Sequence, residues 1–422
     1  MRADYWTADD SAAAVALPDA IGNVLDRAAF AGLCAFVFAM PWEDSVPLIG
    51  GLVLTRWIGL LACAVLTLRV AVTDRFRKPS ILHAFMCALI AWIAASIFWT
   101  IDRQSTLMRI GTYIQLLAAV WMIWELAVTE RRVLVLLQSY IVGTYVLAVG
   151  TIYNYAMGVQ AADLYAEAGI IKWHDSRYTI AGVNENDLGL MLALSVPMSI
   201  YLLTRRKTVL TSVLCWLHLG VCLTAILLSG SRGALLSVVV GLGLFPLIMR
   251  YLPRWQRWAL LLGCAAGLGC GIYLLPESTW TRFLSIDAAM SHGTLSHRTQ
   301  LWYAGLEVFR NHSLIGVGAG AYGSAILKAV DIPLVAHNTF LSLLVELGVI
   351  GDLLLVSLVA ALYYAAFRLP YVEKCFWIIL LSTWTVGVSA LTWEYTKPTW
   401  LLFGLLAAHL YASRAGRSSA CP

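Results

Sequence analysis

Charge is what this 422-residue sequence has least of: Asp, Glu, Lys and Arg together make up 13% of it, about half the share of an ordinary soluble domain. It also lacks any CxxC pair, although nine cysteines are present. Cys34, Cys63, Cys87, Cys215, Cys222, Cys264, Cys270 and Cys375 lie within apolar runs and Cys421 is terminal, which disfavours disulfide or zinc frameworks. No basic leader opens the chain. The first 28 residues carry Asp4, Asp9, Asp10, Asp19 and Asp26 and no long apolar stretch, so the first membrane helix is expected to do the targeting. Neither Gly-x-Ser-x-Gly nor a P-loop occurs, which argues against serine hydrolysis and ATP use. His292, His297 and His312 match no zinc spacing, so no metal and no cofactor are expected. Inverted repeats of the transporter kind are missing too.

What fills the chain instead is apolar length, with 60% hydrophobic residues and a mean hydropathy of +0.77. A soluble fold cannot bury so much, and the pattern predicts an all-α, polytopic integral membrane protein with membrane lipid as its solvent. At roughly twenty residues per span, about twelve helices account for most of the apolar positions. Hydropathy places them near 29–47, 52–69, 81–99, 108–126, 133–152, 185–203, 208–228, 233–250, 258–275, 339–367, 375–391 and 398–412. The expected organisation is therefore a cytoplasmic segment at 1–28, nine spans within 29–275, a large loop at 276–338, three spans within 339–412 and a tail at 413–422.

The basic residues set the orientation. Sixteen of them, from Arg69, Arg75, Arg77 and Lys78 to Arg414 and Arg417, fall in alternate short connections, which predicts that those connections and both termini are cytoplasmic. Scattered cations of this kind report topology, so the net charge of +5 implies no nucleic acid partner. Two outer segments are long, roughly 153–184 and 276–338, and long loops are usually functional or disordered. Within the second, Arg298, Leu301, Trp302, Gly305 and Phe309 share one helical stripe, predicting an amphipathic helix against the bundle. Trp280, Trp302, Tyr303 and Tyr322 suit the headgroup zone.

On that outer side three basic groups stand out. Arg232 lies in Ser229-Gly230-Ser231-Arg232-Gly233, a tight turn between spans, where a guanidinium could hold an anionic headgroup or simply snorkel. His337, just ahead of a span, can accept a proton near neutrality, although an isolated interfacial histidine is the plainer reading. Its company changes the balance: Gly316, Gly318 and Gly320 upstream, Arg298 earlier in the loop, and Asn338 placed to cap the helix or orient the ring. Glu346 falls one to two turns into the span and needs a partner there, an arginine or His337. Asn184, Glu185, Asn186 and Asp187 open another span as caps, with substrate contact a minority reading. Asp102, Arg103 and Arg109 form a further outer cluster that could help attract a phosphate, though an exposed ion pair explains it almost as well.

Together these residues resemble the O-antigen ligases, within the wider superfamily of O-antigen polymerases and protein O-oligosaccharyltransferases. The likeness rests on about twelve spans, the Ser229–Arg232 turn, and a large periplasmic loop running through Arg298 and Trp302 to Gly316–Gly320 and His337-Asn338, then Glu346 and Gly348. The resemblance implies a multi-pass inner-membrane, GT-C-type glycosyltransferase that is metal-independent and inverting, with its site facing the periplasm. It implies O-antigen on undecaprenyl diphosphate as donor and lipid A-core as acceptor, Arg232 and Arg298 as diphosphate-binding groups, and His337 as base or acceptor-positioning group. Asn338, Glu346, Asn184, Asn186 and Arg103 would support the site. The alternative of another class is a lipid-linked-sugar flippase; such transporters typically bury ionisable groups near the midplane, whereas the candidate groups here gather at one interface. The short stretch after Tyr411 leads us to expect no soluble C-terminal domain.

Overall fold

The structure, a computed structural model, describes residues 9–46, 53–167, 177–205, 208–274, 277, 280, 298–330 and 334–418. Every regular element among them is helical. In chain order they are α1 Asp9–Ala39, α2 Leu54–Thr73, α3 Ile81–Ala95, α4 Arg103–Leu126, α5 Glu130–Ala156, α6 Ala161–Glu167, α7 Glu185–Arg205, α8 Val209–Ser229, α9 Arg232–Leu242, α10 Leu244–Ile248, α11 Arg254–Leu274, α12 Arg298–Asn311, α13 Tyr322–Val330, α14 Thr339–Phe367, α15 Tyr371–Val388 and α16 Lys397–Ser418.

Each of the twelve expected spans overlaps one of these helices or, at 233–250, the α9–α10 pair. Nine segments among the described residues, from Ala20–Ser45 to Thr339–Phe367, are long and apolar enough to cross a membrane, and the chain is a polytopic membrane protein. The long helices α11, α15 and α16 fall outside that set. Charged residues explain part of this: α15 opens through Glu373 and Lys374, and α16 holds Lys397 and Arg414. The first helix begins at Asp9, within the segment expected to precede it. His292 and His297 lie outside the described residues.

Short connections between long helices reverse the chain, so loops collect at two ends. At one end Arg69 pairs with Asp26 and Glu125, Arg132 with Asp26, and Arg205 with Glu130 and Glu373. There Arg77 lies 3.6 Å from the ring centres of both Trp124 and Tyr411, a doubly stacked guanidinium. The opposite end carries α6, α12 and α13. α7 is the central helix, with 89% of its apolar window buried, and it packs among α5, α8, α9 and α15. Polar groups that reach this core are satisfied inside it: Ser199 and Thr144 hydroxyls lie 2.8 and 2.9 Å from the two ring nitrogens of His218.

The loop segment has a small core of its own. Leu301, Ala304, Val317, Ala321, Tyr322, Ile326, Ala336 and Val345 bury one another, so α12 and α13 sit on the end of α14. The expected stripe of α12 faces this core through Leu301, Trp302, Gly305 and Phe309. Tyr322 departs from the interfacial role expected of it. It is buried, and its hydroxyl donates to the Leu301 carbonyl at 2.7 Å, because Gly305 leaves room for the ring between the two helices.

Candidate active site

The Ser229–Arg232 turn forms where α8 stops and α9 starts. Gly230 takes a left-handed conformation (φ +59°) that ends α8, and the Ser231 hydroxyl accepts the Ala234 N–H at 3.4 Å to start α9. This puts Arg232, half-buried, at the first position of a helix. Arg177 fastens the turn to α7: its Nε donates to the Ser229 carbonyl at 2.7 Å, its second guanidinium arm to Asn186 Oδ1 at 2.8 Å, and Glu185 stands 3.8 Å away. Arg177 is 4% exposed, so this charge is paired where water does not reach it. A small hollow of about 10 Å³, room for about one water, lies beside the turn, lined by Asn186, Ser231, Gly233, Ala390, Leu391 and Arg298.

Arg298 reaches that hollow from the first position of α12. One turn later, the Trp302 indole N–H donates to the Ala336 carbonyl at 2.8 Å, which pins α12 to the segment carrying His337. The His337 backbone is left-handed (φ +48°), a conformation uncommon outside glycine and for which histidine is somewhat enriched. Asn338 then caps α14, its Oδ1 accepting the Leu341 N–H at 3.1 Å. Burial, and then the Arg298 charge facing it, push the His337 imidazole down to about 4, so the ring is neutral at neutral pH. Arg298 thus connects the two halves of the site, with the Ser231 turn on one side and His337 on the other.

Beneath this lies a latch built on broken backbone. α14 is interrupted at Gly348 (φ +68°, ψ −170°), where a Cβ would come within 2.2 Å of the Leu314 carbonyl oxygen. The carbonyls freed by the break, Val345 and Glu346, accept the N–H groups of Val317 and Gly318 at 3.1 and 2.8 Å. Gly318 (φ +108°) passes so close to Thr100 that a Cβ would meet its hydroxyl at 2.2 Å. The Glu346 carboxylate accepts the Gly320 N–H at 2.6 Å and that of Tyr322 at 3.4 Å, capping α13. Arg109 supplies the facing positive charge, shared with Glu394, and its guanidinium lies 3.4 Å from the Tyr395 ring centre. Burial pushes the Glu394 carboxyl up to about 7, only partly opposed by Arg109. The same connection between α15 and α16 is held by the Trp393 indole, which donates to Asp187 at 2.9 Å, and by Thr339, whose hydroxyl donates to the Leu391 carbonyl at 2.9 Å.

Of the residues singled out from sequence, Arg298 and Asn186 line the hollow, Arg232 adjoins it through Ser231, and His337 faces Arg298. Asn184 accepts the Asn186 N–H at 2.9 Å and acts as a cap. Glu346 turns to Arg109 and the glycine loop, not to His337. Arg103 is exposed on the first turn of α4; Arg109 is the arginine of that helix drawn inward, because the carboxylates of Glu346 and Glu394 compensate its burial. Asp102 pairs with hydroxyls instead, accepting from Ser324 at 2.6 Å and Ser105 at 2.8 Å, and these bonds hold its carboxyl below the usual range. Arg177, Trp393 and Glu394 were not apparent from the sequence; the Arg177–Ser229 and Trp393–Asp187 bonds join residues 52 and 206 positions apart, which no local spacing reveals.

The hollow and its neighbours fall in one stretch of chain that can be compared with known families. Residues 217–356 match the O-antigen ligase family. The match supports membership of the O-antigen ligase superfamily and takes in Arg232, Arg298, His337, Glu346 and Gly348. Asn186 and Arg177 contribute to the hollow from outside the matched stretch, as do Arg109 and Glu394 to the latch below it. No curated protein matches the sequence.

Proposed function

We propose that the protein is an O-antigen ligase that moves O-antigen polysaccharide from undecaprenyl diphosphate to the lipid A-core, working at the periplasmic face of the inner membrane. The observation that carries this reading is Arg298, which faces a neutral imidazole while lining the hollow at the Ser231–Arg232 turn. Diphosphate is a good leaving group, so the reaction needs a base for the incoming hydroxyl and fixed positive charge for the outgoing oxyanion. In the proposed step the acceptor oxygen forms a bond to the anomeric carbon while the bond from that carbon to the diphosphate oxygen breaks. The electron pair leaves with the diphosphate, held by Arg232 and Arg298, and the hydroxyl proton passes to His337. A single displacement inverts the anomeric centre and calls for neither nucleotide nor metal. Arg remains charged at any working pH and can grip a phosphate with two N–H groups, which suits it to both ground state and product.

Twelve crossings with both termini inside put this end of the bundle outward, and the crowding of basic residues at the other end supports that orientation. O-antigen polymerase and protein O-oligosaccharyltransferase use the same donor chemistry, and a flippase of lipid-linked sugar is the reading from another class. Deleting the gene separates them. Loss of long-chain lipopolysaccharide with polymer retained on undecaprenyl diphosphate is the expected result; single-repeat lipopolysaccharide would mean a polymerase, and lost protein glycosylation the third enzyme. Transfer by the purified protein from lipid-linked polymer to lipid A-core rules out a flippase. In that assay His337→Ala is expected to cost on the order of 10²–10⁴ in rate, and Arg232→Ala or Arg298→Ala on the order of 10²–10³ each. Full activity of the histidine variant would remove the base assignment, and inhibition by chelator with recovery on adding a divalent ion would overturn the metal-free step.

A further inference from the structure

The side of α12 away from the bundle has a chemistry of its own. Gln300, Tyr303, Glu307 and Arg310 follow one another at spacings of three, four and three, so they form a single stripe. All four are exposed, Tyr303 by 70%. This stripe is the wall of a cavity of about 740 Å³ whose other residues include Ala304 and, from the end of α13, Ala329 and Val330. That volume lies within the range of sites that hold small ligands.

A solvated or headgroup-facing helix face is the plain reading of such a stripe, and the exposed Leu306 lines the same cavity. Two features go beyond it. The first is concavity: the small Ala304 and Ala329 leave a recess between α12 and α13 where two ordinary exposed helices would present a ridge. The second is the composition of the wall. An exposed aromatic ring stands among a carboxamide, a carboxylate and a guanidinium, all planar groups able to form paired hydrogen bonds, and the one negative and one positive charge cancel. A phosphate or nucleic acid would meet no net positive charge there, and a hydrocarbon would bury the polar wall. A neutral chain with apolar ring faces and hydroxyl edges matches both parts.

Position supplies the remaining argument. Arg298, two residues before Gln300 on the same helix, lines the hollow from the bundle-facing side of α12, roughly half a turn around the axis from the stripe, so a chain leaving the hollow reaches the stripe by passing over the N-terminal end of the helix. At 1.5 Å per residue the reach from Arg298 to Arg310 is about 18 Å. A polymer whose reducing end is held at Arg298 has several sugar units to lay over that distance.

We propose that the recess between α12 and α13 is a glycan-binding groove that holds the repeat units of the donor polysaccharide next to the reacting end, with Tyr303 as its stacking platform. This rests on the donor assigned under the proposed function. The groove recognises chain length: it acts on donors long enough to leave the hollow and is idle for a donor carrying one repeat.

The test compares two purified donors in the transfer assay, undecaprenyl diphosphate bearing a single repeat and the same lipid bearing polymer. Tyr303→Ala is expected to raise KM for the polymer donor about tenfold while leaving its kcat, and both constants for the single-repeat donor, unchanged; Tyr303→Trp restores the polymer KM. A merely structural effect would move both donors together, and that result, or an unchanged polymer KM, overturns the groove. A second measurement is independent of transfer: delipidated polysaccharide, released from the cell's own lipopolysaccharide by mild acid, is expected to give saturation-transfer signals with the wild-type protein in nanodiscs and to lose them with Tyr303→Ala. Signals of equal strength in both proteins refute it. Failure of the donor assignment shows differently, as no transfer by the wild-type protein from either lipid.

Discussion

Replacing Glu346 tests the latch most directly. Its carboxylate accepts two backbone N–H groups, from Gly320 and Tyr322, and opposes the Arg109 guanidinium, with 4% of the residue exposed. Truncation to alanine therefore strips two buried donors of their acceptor and leaves Arg109 with Glu394 alone. Removing one member of a buried ion pair costs about 3–5 kcal/mol. The loss falls on the local opening of residues 316–322, and at 1.4 kcal/mol per factor of ten it corresponds to roughly two to four orders of magnitude in amide exchange. Glu346→Gln keeps a carbonyl oxygen for one of the amides and gives up only the charge, so about a tenfold change is expected. The assay is hydrogen exchange with peptide-level readout on protein in nanodiscs, with the α8 amides as internal reference. Alanine should accelerate exchange in 316–322 and leave α8 unchanged. If protection in that segment stays within a factor of two of wild type, the carboxylate is not what holds the loop, and the account of the latch is wrong.

Further outcomes follow from the site. Because the His337 ring sits near 4 against an ordinary 6.5, it stays neutral as the pH falls through 6, and the acid limb of kcat/KM is expected below about pH 5; a limb at 6.5 would mean another base. The same depression means that the unfolded chain binds the extra proton between 6.5 and 4, so this residue's contribution to stability is lost as pH falls through that window. Glu394 works in the opposite sense. With its carboxyl raised from 4.5 to about 7, the folded state holds a proton that the unfolded state releases, so stability falls as pH rises through that range. Thermal unfolding of Glu394→Gln between pH 5 and 8 should show a smaller decline than wild type. Gly348→Ala places a Cβ against the Leu314 carbonyl at a backbone angle alanine resists, and the expected result is loss of monodisperse protein on size-exclusion chromatography. Trp302→Phe keeps the ring but leaves the Ala336 carbonyl unmet at a cost of about 1 kcal/mol; it should lower kcat severalfold by loosening the seat of His337, and an unchanged kcat would refute that link.

Apolar runs were legible from sequence because lipid imposes them: a span must be apolar over its whole length, and every expected span meets a helix. His337, Arg298 and the Gly316–Gly320 run were legible for a different reason, since each departs from what a simple loop requires. Arg177 and Glu394 leave no mark in the sequence, and Arg109 stands there only as one of an outer cluster, because their meaning lies in their partners. Arg109 faces carboxylates at positions 346 and 394, and charges paired at such separations leave no periodicity. Tyr322 shows the converse error. An aromatic in an outer segment suits a headgroup zone by composition alone, and only the gap at Gly305 reveals that the ring turns inward.

The interruption at Gly348 also dictates an order of assembly. The amides of Val317 and Gly318 find their acceptors on Val345 and Glu346, which emerge from the ribosome later and only after the segment bearing His337. Until α14 is threaded and bent, the outer loop has nothing to close upon, and Arg298 has no fixed place to stand. A nascent chain can therefore complete its first nine long helices, the Ser231–Arg232 turn among them, and still await the late docking event that brings Arg298 and His337 to that turn.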